Sequence, residues 1–158
     1  MIKTFLLWRT IKYEECSRMD FSNWWKIAKQ LDLEKKLERI LFGYDWVALQ
    51  GEICGEGIQG NIYNIKGLDF YGYNLIYPNV GKVSDIALRA TLDVIGLKTV
   101  PYVCNFQLPN NVDELVEMSK GESALKKGQA REGIVVRNYE KNISFKVISP
   151  SYLLKSNR

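Results

Sequence analysis

Arg131-Glu132-Gly133-Ile134-Val135-Val136-Arg137 is followed, after the polar run Asn138-Tyr139-Glu140-Lys141-Asn142, by Ser144-Phe145-Lys146-Val147-Ile148. Each outer half is rich in β-branched residues, alternates in polarity and is bounded by turn residues, which is the pattern of a strand. The run between them has the chemistry of a hairpin turn. A three-residue loop that sets Asn138 opposite Asn142 places Ile134 opposite Lys146. Side chains alternate faces along a strand, so Glu132, Ile134, Ser144 and Lys146 then share one face. Glu132 and Lys146 become diagonal neighbours, roughly 7–8 Å apart. Such a gap suits a phosphate or a hydrated cation held between a carboxylate and an ammonium. A loop of two or four residues breaks this register. The same spacing also describes an ordinary hairpin whose charged residues face solvent.

Around this hairpin lies a chain of 158 residues, 46% hydrophobic and 25% charged, which is the makeup of one globular domain with a real core. We therefore expect a single domain over 1–158. No apolar run approaches the ~18 residues of a membrane span, so no membrane partner is expected. The opening Met1–Arg9 is too short and too quickly charged for a secretory signal. Cys16, Cys54 and Cys104 show no paired spacing, which points to a reducing compartment and away from zinc. That suits the cytoplasm, or the host-cell cytoplasm for a viral chain. A net charge of +4 permits a polyanionic partner without requiring one. Histidine is absent, which excludes Ser-His-Asp and Cys-His catalysis and His-ligated metals within these residues. Any chemistry must rest on Lys, Arg, carboxylates and oxygen-ligated cations such as Mg²⁺.

Residues 3–16 read as one or two strands, Thr4–Trp8 and Ile11–Tyr13. Ser22 is placed to cap a helix over Asn23–Leu31, and Asp32 a second over Leu33–Leu41 that Gly43 ends. Trp24, Ile27, Leu31, Leu37 and Leu41 recur at helical spacing, as core residues do. The Trp24-Trp25 pair also has the chemistry to stack on bases. Trp46–Ile53 reads as a strand running into Gly55-Glu56-Gly57-Ile58-Gln59-Gly60-Asn61. Those glycines satisfy G-x-G-x-x-G, but a dinucleotide fold needs a helix next, and β-like Ile62–Ile65 follows. A kinase needs a His-Arg-Asp loop, which a chain without histidine lacks. Leu68–Tyr77 is an aromatic strand ending at Pro78. Ser84 caps a helix through about Ile95, with Gly96 at its end, and Leu97–Val103 follows as a short strand. Asn111 caps Val112–Lys120, Gly121 stops it, and Ser123–Lys127 reads as one further turn. Lys126, Lys127 and Arg131 read as a solvated basic face, with contact to RNA phosphates as the alternative.

Glu132–Arg137 and Ser144–Ser149 resemble nucleotidyltransferase motifs IV and V of ATP-dependent RNA ligases, in the superfamily that also holds DNA ligases and capping enzymes. Ser151-Tyr152-Leu153-Leu154-Lys155 also fits the RNA ligase branch, as does a Gly51-Glu52-Ile53 strand end followed by a Gly-Ile-Gln-Gly-Asn loop. The resemblance runs from about Tyr13 to Lys155. It implies an α+β fold, an antiparallel, ATP-grasp-like nucleotidyltransferase sheet pair with helices packed on it. It implies ATP as cofactor, with AMP carried covalently on a lysine and then on an RNA 5′-phosphate before a 3′-hydroxyl displaces it. Mg²⁺ or Mn²⁺ would assist, and the partners would be RNA ends, nicked duplex RNA among them. Residue by residue, Tyr73 would stack on adenine and Glu52 would accept a hydrogen bond from the ribose. Glu132 would bind the divalent cation and Lys146 would stabilise phosphate charge. Arg18, in Cys16-Ser17-Arg18, would contact RNA at the reacting end as in motif Ia, or be a solvated loop arginine.

One element of the family pattern is missing. Motif I is Lys-x-Asp-Gly or Lys-x-Asn-Gly, whose lysine carries AMP, and no lysine of this chain begins it. In the family it lies upstream of the Ser-Arg segment, so either an N-terminal truncation or a natural remnant is expected, with the sheet lacking its first strands. Motif V departs too, offering Lys146 alone where a Lys-x-Lys form is common; Lys155 is a candidate second cation. Two functions follow. One is an RNA ligase catalytic domain without its nucleophile, and the other is a non-catalytic nucleotide- or RNA-binding remnant.

Overall fold

Two runs of alternating side chains, residues 48–55 and 68–77, zip together antiparallel at the centre of a five-stranded sheet. The structure is a computed structural model describing residues 4–7 and 22–156. It divides into two compact units, Met1–Val100 and Pro101–Arg158. The second strand proposed for the N-terminal stretch, Ile11–Tyr13, and the Ser17-Arg18 pair lie outside the described residues, as do the side chains of Ser22 and Lys155.

In chain order the first unit holds β1 (Thr4–Leu7), α1 (Ser22–Gln30), α2 (Leu33–Glu38), β2 (Ala48–Gly55), β3 (Leu68–Tyr77), β4 (Gly81–Lys82), α3 (Asp85–Val94) and β5 (Lys98–Thr99). The sheet order is β1-β2-β3-β4, all antiparallel, with β5 added parallel to β3. Ile27, Leu37, Leu49, Phe70, Leu75, Leu88 and Leu92 form its buried core, with Trp24, Leu31 and Leu41 packed against it. Each such apolar side chain contributes roughly 1.5–3 kcal/mol on burial. Trp24 is therefore core, as its helical spacing implied, while its neighbour Trp25 is exposed. Ser84 caps α3, its hydroxyl accepting from the Ala87 amide at 3.3 Å.

Several expectations in this unit change: Ile62–Ile65, read as β-like, forms no strand, and the helix expected over Leu33–Leu41 is only Leu33–Glu38. Asp32 makes no side-chain cap to α2 and sits in the left-handed region with φ 50°. Its amide donates to the Lys29 carbonyl at 3.1 Å, so the residue closes α1 and cannot adopt the extended geometry of an N-cap. The strand expected over Leu97–Val103 is only Lys98–Thr99, because just those two residues find partners on β3.

The second unit holds α4 (Val112–Ser119), β6 (Glu122–Ser123), β7 (Lys126–Ala130), β8 (Gly133–Asn138), β9 (Ile143–Ile148) and α5 (Pro150–Ser156). Asn111 caps α4, its side-chain oxygen accepting from the Asp113 amide at 2.9 Å. The turn expected over Ser123–Lys127 is instead the tip of the β6–β7 hairpin, where the Ser123 hydroxyl accepts from the Leu125 amide at 3.2 Å.

The β8–β9 register also departs from expectation. Asn138 pairs with Ile143, so the loop is the four residues Tyr139–Asn142, and Val135 rather than Ile134 faces Lys146. The Asn138 side chain accepts from the Lys141 amide at 2.8 Å, and Asn142 closes the turn with φ 48°. A slip of one residue exchanges the faces of a strand. Here it leaves Ile134 buried at 8% exposure while Val135, on the face of Lys146, is 53% exposed. The three-residue loop would have put Lys146 on the buried face with Ile134.

Candidate functional site

The first unit presents a polar and aromatic sheet face opposite its core. Along β2 the part-exposed residues are Gln50, Glu52 and Cys54, and along β3 they include Asp69, Tyr71 and Tyr73. The pairing Gln50↔Asn74 gives way to Gly51↔Gly72, so Tyr73 is the extra residue of a β-bulge. A bulge re-aims the residues it carries. Before it the buried positions of β3 are Leu68, Phe70 and Gly72; beyond it they include Leu75 and Tyr77. Tyr73 and Asn74 are consecutive at this phase change, and the Asn74 amide donates to the Gln50 side chain at 2.6 Å. Tyr73 lies two residues beyond Tyr71, the direct partner of Glu52 on β3, so alternation sets it on the face of Glu52, and the bulge adds Asn74 to that face. At Gly72 a Cβ would lie 2.5 Å from Leu92 of α3, on the core side.

Tyr71 is held firmly in this face. Its hydroxyl donates to Asp69 at 3.0 Å, Lys98 pairs with the same carboxylate, and the Lys98 ammonium lies 5.6 Å from the Tyr71 ring centre. Tyr71 and Lys98 also line a groove of about 630 Å³ with Arg89, Asp93 and Thr99. Arg89 is committed within the fold, donating to Asp85, to the Thr99 hydroxyl at 2.9 Å and to the Val100 carbonyl at 3.1 Å.

Burial, followed by the charges of Glu52 and Asp69, pushes the Cys54 thiol from its ordinary 9.0 up to about 11. Burial and then hydrogen bonding to Asp69 raise the Tyr71 phenol. A raised acid stays neutral in the folded chain where it ionises in the unfolded one. Its contribution to stability is therefore complete below pH 9.0 and is lost as pH rises towards about 11. Thermal unfolding of Cys54→Ala across this window is expected to lose stability with pH less steeply than the wild type. Identical slopes would remove Cys54 as a source of the alkaline sensitivity.

In the second unit Lys146 of β9 donates to Glu132 at 2.5 Å, so carboxylate and ammonium touch directly across the space expected to be open. Strand parity alone would put them on opposite faces. Glu132, however, precedes β8, and no alternation binds it. Gly133 follows, where a Cβ would come within 2.1 Å of the Val147 carbonyl oxygen, so only glycine lets the chain enter the ladder so close to β9. Both partners are about one-third exposed, which leaves the pair accessible to a ligand.

The expected site residues therefore form two separate pairings, Glu52 with Tyr73 on one sheet face and Glu132 with Lys146 at one hairpin; Arg18 lies outside the described residues. Among the described residues no group of three or more Cys, Asp or Glu side chains could hold a metal ion. A single carboxylate suits a hard cation that takes its other ligands from water and phosphate oxygens, the habit of Mg²⁺. Glu132 fits that role. Among the described residues no helix is long and apolar enough to cross a membrane.

Sequence reasoning missed the Gln50–Asn74 pair, the Asp69–Tyr71–Lys98 set, the role of Arg131, and α5. The last was legible: Ser149-Pro150 has the signature of an N-cap with proline at the first helical position. The Ser149 carbonyl accepts from the Tyr152 and Leu153 amides at 3.0 and 3.2 Å.

Comparison with known proteins bears on this arrangement. A model of the RNA ligase family matches residues 4–148. Among solved structures, a mutant of Naegleria gruberi RNA ligase with AMP and Mn superposes with a TM-score of 0.83 at 26% identity, over 99% of this chain and 50% of that one. Another mutant of that ligase, with ATP and Mn, gives a TM-score of 0.75 at 30% identity over 84% of this chain and 40% of that one. The same ligase with PPi gives 0.82 at 26% identity, covering 99% and 51%. The chain thus spans about half the length of the structures it matches. No curated protein matches it.

Proposed function

The chain belongs to the RNA ligase family, and from that premise we propose that it is the nucleotide-binding part of an ATP-dependent ligase joining RNA 5′-phosphate and 3′-hydroxyl ends. The observation that carries the reading is the pairing of β2 with β3, which sets an aromatic ring and a carboxylate on one sheet face. Tyr73 stacks on adenine, a contact that suits any purine and is worth ~1–3 kcal/mol. Glu52 accepts a hydrogen bond from a ribose hydroxyl. Asn74 and Gln50 brace the bulge from the same face. Lys146 supplies a positive charge to phosphate oxygens, where charge-assisted hydrogen bonds are strongest. Glu132 offers a hard oxygen to Mg²⁺ or Mn²⁺, which when bound would neutralise phosphate charge. All described parts, in both units, are assigned to one nucleotidyltransferase domain. Solved relatives bound to ATP, AMP and Mn support this choice of ligands. RNA ends are the partners that the family implies, with Arg18 as a contact.

The test is titration calorimetry with ATP and with AMP, in the presence of Mg²⁺, on wild type and Tyr73→Ala. The substitution is expected to weaken binding by roughly 1–3 kcal/mol, the value of one stacked base. Equal affinities would remove Tyr73 from the site, and no binding by the wild type would remove the reading altogether.

A further inference from the structure

Resting on the reading of Glu132 as the metal ligand, we propose that Arg131 is a positioning residue that aims Glu132, rather than part of a solvated basic face or a contact to RNA phosphate. The guanidinium is spent on the C-terminus of α4. Its Nε donates to the Ser119 carbonyl at 3.0 Å, and its terminal nitrogen donates to the carbonyls of Met118 and Lys120. The Arg131 amide adds a bond to the Gly121 carbonyl at 3.0 Å. Helix ends leave their last four carbonyls without helical partners and carry partial negative charge. The earlier carbonyls are already met, Val116 by the Ser119 hydroxyl at 2.7 Å and Glu117 by the Lys120 amide at 3.1 Å. Arg131 takes the rest, and its fork of donors can reach several oxygens at once where an ammonium cannot.

This anchoring matters because of what comes next in the chain. The Glu132 carbonyl accepts from the amide of Ser149 at 2.8 Å, and Ser149 is fully buried at 0% exposure. Gly133 is locked against Val147 by the absence of room for a Cβ. Three consecutive residues are thus tied to three different elements: Arg131 to α4, Glu132 to the start of α5, and Gly133 to β9. The backbone of Glu132 has no slack, and only its side chain is left to move, between Lys146 and a cation. Outer partners of this kind orient a ligand, and losing one typically weakens metal binding about 10–100-fold.

The experiment is titration of ATP into the full chain with and without Mn²⁺, on wild type and Arg131→Lys, with melting temperatures in parallel and RNA binding measured for the same proteins. Arg131→Lys keeps the charge and loses the fork. It is expected to leave metal-free ATP affinity unchanged while raising the Mn²⁺ concentration needed for enhancement roughly tenfold or more. Should that variant unfold, Arg131→Gln, which donates to a carbonyl without charge, carries the same comparison. An unchanged Mn²⁺ response beside a lowered melting temperature would make Arg131 a helix cap and no more. RNA binding kept by Arg131→Lys and lost by Arg131→Gln, with the Mn²⁺ response intact in both, would make it a phosphate contact. A wild type without any Mn²⁺ response would overturn the assignment of Glu132 and this proposal with it, a failure visible before any variant is made.

Discussion

Glu132→Gln is expected to abolish the enhancement of nucleotide binding by Mg²⁺ or Mn²⁺ while leaving the melting temperature nearly unchanged. The amide keeps the shape of the carboxylate and loses its charge, and a neutral oxygen alone is a poor ligand for a hard cation. Among the described residues no cluster of three or more Cys, Asp or Glu side chains offers a ready-made alternative metal site. Stability is spared for a separate reason. The ion pair with Lys146 is about one-third exposed on both sides, and pairs of that kind contribute roughly 0–1 kcal/mol. The backbone bond from Ser149 to the Glu132 carbonyl does not involve the side chain and survives the substitution. Calorimetry with and without metal reads the first effect and thermal unfolding the second. A large drop in melting temperature with the metal response intact would make Glu132 a structural residue.

The elements that sequence reasoning placed well are those decided by neighbours in the chain. β3 begins and ends where alternation and Pro78 put it. The capped starts of α3 and α4 follow from Ser84 and Asn111, whose side chains reach only two or three residues along. Features set by a distant partner were less legible. The loop between β8 and β9 could hold three or four residues on turn chemistry alone, and the choice rests on which face must bury Ile134. The bulge at Tyr73 exists only relative to β2, so no reading of β3 by itself contains it. Arg131 looked like one of three basic residues in a row of polar ones, because its partners lie eleven to thirteen positions back. The adjacency of Glu132 and Lys146 was expected and is observed, yet by another route: a residue outside the ladder reaching across it, in place of a diagonal within it. Tyr73, Glu52, Glu132 and Lys146 were singled out on the family resemblance, since a tyrosine or glutamate in a strand carries no mark of its task.

Gly51→Ala is expected to destabilise the first unit by more than about 3 kcal/mol, the upper end of what overpacking usually costs. Gly51 has no positive φ, so the demand for glycine here is one of space. A Cβ would lie 2.2 Å from the Phe70 ring and 2.6 Å from the Tyr71 carbonyl oxygen. Neither neighbour can give way cheaply. Phe70 is 1% exposed within the core, and the Tyr71 oxygen belongs to the backbone of the paired strand. Relief requires β2 and β3 to separate at the point where the bulge begins. In a unit of this size each kcal/mol is worth about 4–8 °C, so a loss of about 3 kcal/mol lowers the melting temperature by roughly 12–24 °C. Because the bulge carries Tyr73, nucleotide affinity in whatever remains folded is expected to fall with it. Stability and site geometry are thus linked through one hydrogen atom's worth of space, unlike Tyr73→Ala, which removes a contact and leaves the strands paired. A melting temperature within a few degrees of wild type would show that β2 and β3 adjust freely at Gly51, and the bulge could then not be what fixes the Tyr73 ring.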